Sequence, residues 1–387
     1  MSVHKVKQLI NELTPRLIEL GRFLHQNPET CFQERQAAWK ITEFMDSRGF
    51  EVEIGVADLE TAFVCQKNGG KQGPTIAFIA EYDALKEVGH ACGHNLIAMI
   101  AVAAACGLAP LLDDLGGTVK LIGTPGEEGG GGKVLMGWQG VFDGLDAALM
   151  AHPDCKTAMI KQTLSLKMVK VEFSGRAAHA AAAPFLGINA LDAVIQTFNN
   201  VNALRQQLKS DVRIHGVITN GGNLPNIIPE YASAEFYLRS LELDDLDELT
   251  ERFIGCIKGA EAATGAKAKI SIDKVIYYPF KPNRRLAGTF AKYLSEEGFT
   301  ITRTDPVSNI GSSDVGNLSQ LVPTIHPTVA VTEEEWPIHS VNFCLAADKD
   351  LAYKRAISAA KALSLTGLKV LQSPETLREI KEEFQQS

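Results

Sequence analysis

"TIAFIAEYDALKEVGHACGHN", residues 75–95, runs from an apolar strand signal into two histidines and a cysteine. "TIAFIAEYDAL" reads as a strand ending at Asp83, and a helix is expected from near Asn95. "TAFVCQ" before it reads as another strand, separated by the turn "KNGGKQGP". After it, "GTVKLIGTPGEEGGGGKVLMGWQ" reads as strand, loop and helix, and "LDAALMAHPD" as a strand with polar residues at its exit. Strands alternating with helices imply an α/β domain, a mainly parallel sheet with helices on both faces. Ligands of such sheets sit at the carboxyl ends of the strands. Asp83, His90 to His94, Glu127, Glu128 and His152 all follow expected strand ends.

Upstream, residues 5–50 read as two helices, with apolar positions such as Ile10, Leu17, Leu20 and Leu24 at helical spacing and a break at "HQNPE". The character changes near residue 164. "LSLKMVKVEFSG" alternates apolar and polar residues, as a half-exposed antiparallel strand does. A helix, two strands, a helix and a strand follow, the β-α-β-β-α-β order of a ferredoxin-like unit. The chain is therefore expected to divide into a domain of residues 1–163 and 278–387 and an inserted unit of residues 164–277.

The 387 residues exceed one ordinary core, which agrees with two domains. A net charge of −8 with no Lys/Arg-rich run argues against nucleic acid or an anionic membrane as partner. The apolar run "LIAMIAVAAACGLAPLL" is short for a membrane span and reads as a buried helix. Seven scattered cysteines, at 31, 65, 92, 106, 155, 256 and 344, form no paired framework and point to a reducing, cytoplasmic setting. The N-terminus has no secretory apolar core.

Cys92 and His94 are of the residue types that bind zinc, and alternate residues of an extended turn can face one side. On this stretch alone, a metal site and a cysteine buried at a helix start are equally good readings, with His90 pointing away or giving support. "GTPGEEGGGG" adds Glu127 and Glu128 to a glycine run that lets the backbone turn sharply. Adjacent carboxylates point in different directions, so one can bind a metal while the other faces the water it activates. His152 in "MAHPD" and His339 in "WPIHS" are ambiguous alone. His179, in "SGRAAHAAAAP", lies among small residues of the inserted unit that suit close approach. His25, His215 and His326 read as structural and His4 as exposed. A rival enzyme would use Cys92 as nucleophile with His90 or His94 as base, which leaves the Glu127–Glu128 pair unexplained. A rival of another class is a non-catalytic metal-binding scaffold, which would be expected to have lost Glu127 or a ligand.

The ordered set Asp83, "HACGHN", "GTPGEEGGGGK", "AHPD", "GRAAHAAAAP", "NIIPE" and "PIHS" resembles metallopeptidase family 20, the family of carboxypeptidase G, aminoacylases and hippurate hydrolase. It looks nearest to the amidohydrolase branch of aminobenzoyl-glutamate hydrolase and β-alanyl-lysine type dipeptidases. The resemblance implies a homodimer, a catalytic domain with two divalent metal ions (zinc first, manganese or cobalt otherwise), and a lid that also dimerises. It implies Cys92 as bridging ligand, with His94, Glu128, His152 and His339 completing the set. Glu127 would be the general base and Asp83 would orient a ligand. His179 would reach across the dimer to the substrate carbonyl, and Asn226 and Arg239 would hold the substrate carboxylate. The implied reaction is hydrolysis of a small amide with a free carboxylate: an N-acyl amino acid, an aminobenzoyl-glutamate-like amide or a dipeptide. Asn95 stands where most of the branch has Asp, which bears on metal affinity. "GSSDVGN" (311–317) looks specific to a subgroup and is expected to line the pocket.

Overall fold

The computed structural model describes residues 2–303 and 310–386. The chain forms two compact units, Met1–Gln162 with Phe280–Ser387, and Thr163–Pro279. The cuts fall at 162/163 and 279/280, against the expected 163/164 and 277/278.

The strands in chain order are β1 Glu51–Ile54, β2 Phe63–Asn68, β3 Thr75–Ala80, β4 Thr118–Gly123, β5 Ala147–Leu149, β6 His152–Asp154, β7 Ser165–Ser174, β8 Arg213–Asn220, β9 Tyr231–Ser240, β10 Lys267–Ile272, β11 Thr324–Ile325 and β12 Thr328–Ala330. The first unit holds a six-stranded sheet in the order β1-β2-β4-β3-β5-β11. Its pairs β4–β3, β3–β5 and β5–β11 are parallel, whereas β1–β2 and β2–β4 are antiparallel. The strand β1 is a four-residue, largely exposed edge that lies outside the sequence expectation.

Central β3 shows why this sheet needs cover on both faces. Ile76, Phe78 and Ala80 join one apolar core, and Ala77 and Ile79 join another. A strand buried on both sides reads as an unbroken apolar run, which "IAFIA" is. The helix His94–Leu108 lies in the larger core with every residue buried, between the helices Ser2–Gln26 and Asp350–Gln372. Its small residues allow this closeness: a Cβ on Gly107 would meet Ile10 at 2.7 Å and Ser364 at 3.1 Å. The stretch His94–Leu115 is apolar and long enough to cross a membrane, and 94 % of its most apolar window is buried inside this unit. Burial in the core accounts for its composition.

"LDAALMAHPD" does not make one strand, as expected, but two. After β5 the chain leaves the large sheet, and β6 pairs in parallel with β12 instead. The neighbouring strand makes the same break between β11 and β12. The bend brings His152 to the start of β6 and leaves His326 two residues before β12, their rings edge to face at 5.3 Å.

The second unit has the element order β7, helix Ala190–Arg205, β8, β9, helix Leu243–Thr264, β10. Its sheet order is β10-β7-β9-β8, antiparallel throughout. Asn189 caps the first helix through the Leu191 and Asp192 amides, and Gly265, at φ +78°, ends the second. Phe236 packs on Phe253 with ring centroids 4.8 Å apart. Phe253 is fully buried, so Phe253→Ala should cost roughly 3–5 kcal/mol. Urea unfolding of the full chain should show that loss in this unit's transition, and an unchanged midpoint would contradict the packing described.

Candidate metal centre

Three loops leave the carboxyl ends of β3, β4 and β5 and carry Glu81 to His94, Thr124 to Gly132, and His152. Gly93, at φ +80°, turns the first loop into the helix that starts at His94. There the ligand-type atoms of Cys92, His94 and His152 lie within 4.8 Å of one another. Those of Cys92, Glu128 and His339 form a second such group, and those of His94, Glu127 and Glu128 a third. Six of the expected site residues are thus brought together, and Cys92 belongs to both groups that contain a thiol.

His94 and His152 are each aimed by the ring nitrogen that faces away from the cluster. His94 Nδ1 faces the Asp83 carbonyl at 2.9 Å and Asp83 Oδ1 at 3.0 Å. Both are acceptors, so Nδ1 carries a proton and Nε2 is the ring nitrogen left for a ligand. Nε2 makes no hydrogen bond although it is buried. His152 Nδ1 donates to the Pro153 carbonyl at 2.6 Å, which leaves Nε2 toward Cys92 Sγ at 3.4 Å. His339 Nε2 lies 3.2 Å from Glu128 Oε1. Its backbone, at φ +67°, donates its amide hydrogen bond to the Ala91 carbonyl at 2.8 Å. Such a conformation costs a non-glycine residue about 1–3 kcal/mol and collects at functional sites. Donor types, ring orientations and the orphaned His94 Nε2 all fit divalent cations.

The field agrees. Burial opposes charge on His94, but Cys92 and Asp83 hold its protonated form well above the ordinary range. Hydrogen bonds donated to Cys92 and Glu128 push His339 up to about 10. Burial raises the Glu127 carboxyl, and Glu81, Asp314 and Glu128 raise it further. The raised His94 and His339 report the anionic groups beside them, whereas burial, His326 and Lys161 hold His152 well below the ordinary range, the neutral form a metal ligand needs.

The glycine loop is pinned by three carboxylates from outside it. Glu34 Oε1 accepts from the Gly126 amide at 2.9 Å, Asp83 Oδ2 from Glu128 at 2.9 Å, and Asp314 Oδ2 from Lys133 at 2.9 Å. A glycine run loses much backbone freedom on ordering, so it needs such anchors. Gly132 has room for nothing else, since a Cβ there would sit 1.8 Å from the Pro125 carbonyl oxygen.

Glu34 and Lys133 were not singled out in the sequence, Asp314 lies in the stretch 311–317 expected to line the pocket, and His326 was read as structural. Glu34, Lys133 and Asp314 are fully buried, and His326 is 5 % exposed with no hydrogen-bond partner on either ring nitrogen. His326 stands in "IHP" (325–327), which repeats the "AHP" of residues 151–153 two positions earlier in the strand register. His90 stays out of the cluster and stacks on His25 at 6.3 Å. Asn95 turns away as well, its amide 3.5 Å from the Gly21 and Ala347 carbonyls.

In the second unit, His179 Nδ1 accepts from the Ala181 and Ala182 amides at 3.2 and 3.1 Å, so the exposed ring presents Nε2–H. Asn226 is adjacent, its carbonyl accepting from the Ala180 amide at 3.0 Å. Arg239 is not part of this group. It lies at the opposite end of β9, roughly 25 Å along the strand.

Fold and cluster together define a class, two-unit α/β proteins with a metal-ligating group of side chains at the strand ends. Residues 163–264 match the family model described as a peptidase dimerisation domain. The chain is 36% identical to the Xaa-Arg dipeptidase of Mus musculus, over 98% of this chain and 91% of that protein. It is 35% identical to one of the subunits of the p-aminobenzoyl-glutamate hydrolase of Escherichia coli, over 73% of this chain and 63% of that one. A dinuclear metal-binding peptidase of the M20 family from Bacillus subtilis shares the fold, with a TM-score of 0.64 at 20% identity over 90% of this chain and 98% of that one. The chain belongs to the M20 peptidases, the metallopeptidase family 20 of the sequence resemblance.

Burial pushes the Glu34 carboxyl up to about 7 from an ordinary 4.5. The folded state therefore keeps a proton that the unfolded chain has lost. Stability from this group is full below pH 4.5 and falls as pH rises through 7. Glu34→Gln keeps the shape and removes the titration. Relative to the parent, its urea midpoint should climb between pH 4.5 and 7 and then level off. A difference that does not change with pH would refute the assignment.

Proposed function

We propose that this protein is a dimeric dipeptidase that hydrolyses the amide bond of a small substrate with a free carboxylate, using two divalent cations. The carrying observation is the pair of overlapping groups, Cys92–His94–His152 and Cys92–Glu128–His339, which share one thiol. Cys92 would bridge the cations, His94 and His152 would complete one site, and Glu128 and His339 the other. The donor set of one thiolate, three imidazoles and a carboxylate suits zinc, with manganese or cobalt as substitutes. Bound there, the cations would acidify a water molecule and polarise the scissile carbonyl.

The residues of the chain supply the rest. Glu127 is the base that takes the proton of the attacking water and hands it to the leaving amine. Its raised carboxyl pKa suits a group that must both take and give. Asp83 fixes the His94 ring. His179, with Nε2–H held outward, donates to the oxyanion that develops at the carbonyl. Asn226, beside it, contacts the substrate carboxylate. Arg239 is too far along β9 to share that grip with this pair in the same lid, and it holds the carboxylate only if a partner's lid supplies it.

The match of the second unit to a peptidase dimerisation domain supports a homodimer in which His179 serves the centre of the other protomer. The seven cysteines are all free, which supports a reducing cytoplasmic setting. The 36% identity to an Xaa-Arg dipeptidase supports dipeptides as the substrate class. The nucleophile reading of Cys92 is the weaker one. Its thiol is 7 % exposed, and the reading gives Glu127 and Glu128 no task.

The direct test is a panel of dipeptides with basic and neutral C-terminal residues, p-aminobenzoyl-glutamate and N-acetyl amino acids, run with zinc, manganese and cobalt. Dipeptides should be cleaved, and cleavage should stop on chelation. Turnover by a fully metal-free preparation would overturn the reading. Glu127→Gln should keep both cations while kcat falls by about 10²–10⁴; near-parental turnover would remove Glu127 as base. Mixing inactive Glu127→Gln and His179→Ala protomers should restore up to about a quarter of the parental sites, since a hybrid dimer has one intact centre. No recovery after demonstrated protomer exchange would place His179 in its own protomer's site.

A further inference from the structure

Behind the metal centre lies a second cluster of charge. The ligand-type atoms of Glu81, Glu127 and Asp314 are within 4.8 Å of one another, as close as the groups described above. Here the cation is part of the chain. Lys133 Nζ lies 2.5 Å from Glu81 Oε1 and 2.7 Å from Asp314 Oδ1, with all three side chains at most 1 % exposed. Asp314 gives Lys133 both oxygens, one for the ammonium and one for the backbone amide at 2.9 Å. Burial opposes charge on Lys133, yet Asp314 and Glu81 hold its ammonium above the ordinary lysine range.

Glu81 connects this cluster to the metal centre. Its Oε1 faces Lys133, and its Oε2 stands 3.5 Å from His94 Nε2, the nitrogen that Asp83 leaves open. A free Glu81 would swing onto His94 Nε2 and compete for it. Held by the ammonium, it stands off.

We infer that Lys133 and Asp314 are positioning residues: a built-in ammonium, anchored by Asp314, tethers Glu81 away from His94 Nε2 and fills the place where Glu81, Glu127 and Asp314 would hold a further cation. This rests on the metal-centre reading above and gives the stretch 311–317 its task. Asp314 closes the far end of the glycine loop and aims Lys133 in one contact. Two anionic groups sharing one buried ammonium tolerate no loss of that ammonium, because removing one partner of a buried pair strands the others. The pair therefore couples the loop that carries Glu127 to the strand exit that carries Glu81.

The test uses the full-length dimer. Lys133→Met leaves two carboxylates stranded and is the variant most prone to misfold, so Asp314→Asn and Glu81→Gln carry the decision. Asp314→Asn keeps the shape and weakens the anchor; Glu81→Gln keeps the contact geometry and removes the charge. Zinc affinity by chelator competition, kcat and KM are measured at a temperature where circular dichroism shows each variant folded. The inference predicts a loss of about 10–100-fold in zinc affinity or kcat for Asp314→Asn, with KM within about twofold of the parent, and near-parental zinc affinity for Glu81→Gln, which has no carboxylate charge left to set on His94. An Asp314→Asn protein that melts earlier yet binds zinc and turns over like the parent, or a Glu81→Gln protein that loses zinc as Asp314→Asn does, would make the pair a plain structural contact and overturn the inference. A parent that binds no zinc would instead overturn the metal-centre reading itself, so the two failures are distinguishable.

Discussion

Asp83 commits its two carboxylate oxygens to two different loops. One receives the His94 imidazole at 3.0 Å, at the start of the central helix, and the other receives the Glu128 amide at 2.9 Å, in the glycine loop after β4. Burial by itself would raise this carboxyl, but His94 and the Glu128 amide outweigh it and hold the group ionised below the ordinary range. A buried carboxylate is tolerable only when such donors surround it. The exits of β3 and β4 are therefore joined by charge as well as by the strand ladder, and the orientation of His94 depends on that joint.

The same device recurs around the glycine loop. Glu34, Asp83 and Asp314 come from three distant parts of the sequence, and each accepts one loop amide. Between these anchors the loop is free to take the sharp turns that only glycine permits. This division of labour suits a centre whose two adjacent carboxylates, Glu127 and Glu128, must face different ways. The cost is a concentration of buried negative charge, offset within the chain by Lys133 and by imidazoles held toward their protonated form.

Much of this was legible in the sequence. The apolar run of β3, the alternation of β7 and the order of elements after residue 164 carry local periodicities that survive folding. Cys92, His94, Glu127, Glu128, His152 and His339 stood out because their residue types and strand-exit positions carry chemistry in themselves. What remained hidden depends on contacts between distant segments. Lys133 looked like the end of a glycine run, and only the approach of Asp314, 181 residues away, makes it a buried ammonium. Glu34 looked like one more surface carboxylate until Thr61 and the Gly126 amide close over it. The split of "LDAALMAHPD" into β5 and β6 follows from a bend that a neighbouring strand makes at the same level. Asn95 drew notice for its residue type, but the helix geometry turns it toward Gly21 and Ala347.

The central claim is that one thiol belongs to two metal sites at once. Elemental analysis of the purified protein, parent and Cys92→Ser side by side after equilibration with a small excess of zinc and removal of free metal, tests it most directly. The account predicts two equivalents per chain in the parent and the loss of both sites' occupancy together in the variant, because the bridging atom of each is gone. A Cys92→Ser protein that still carries two equivalents, or that loses one and keeps the other at parental affinity, would contradict it.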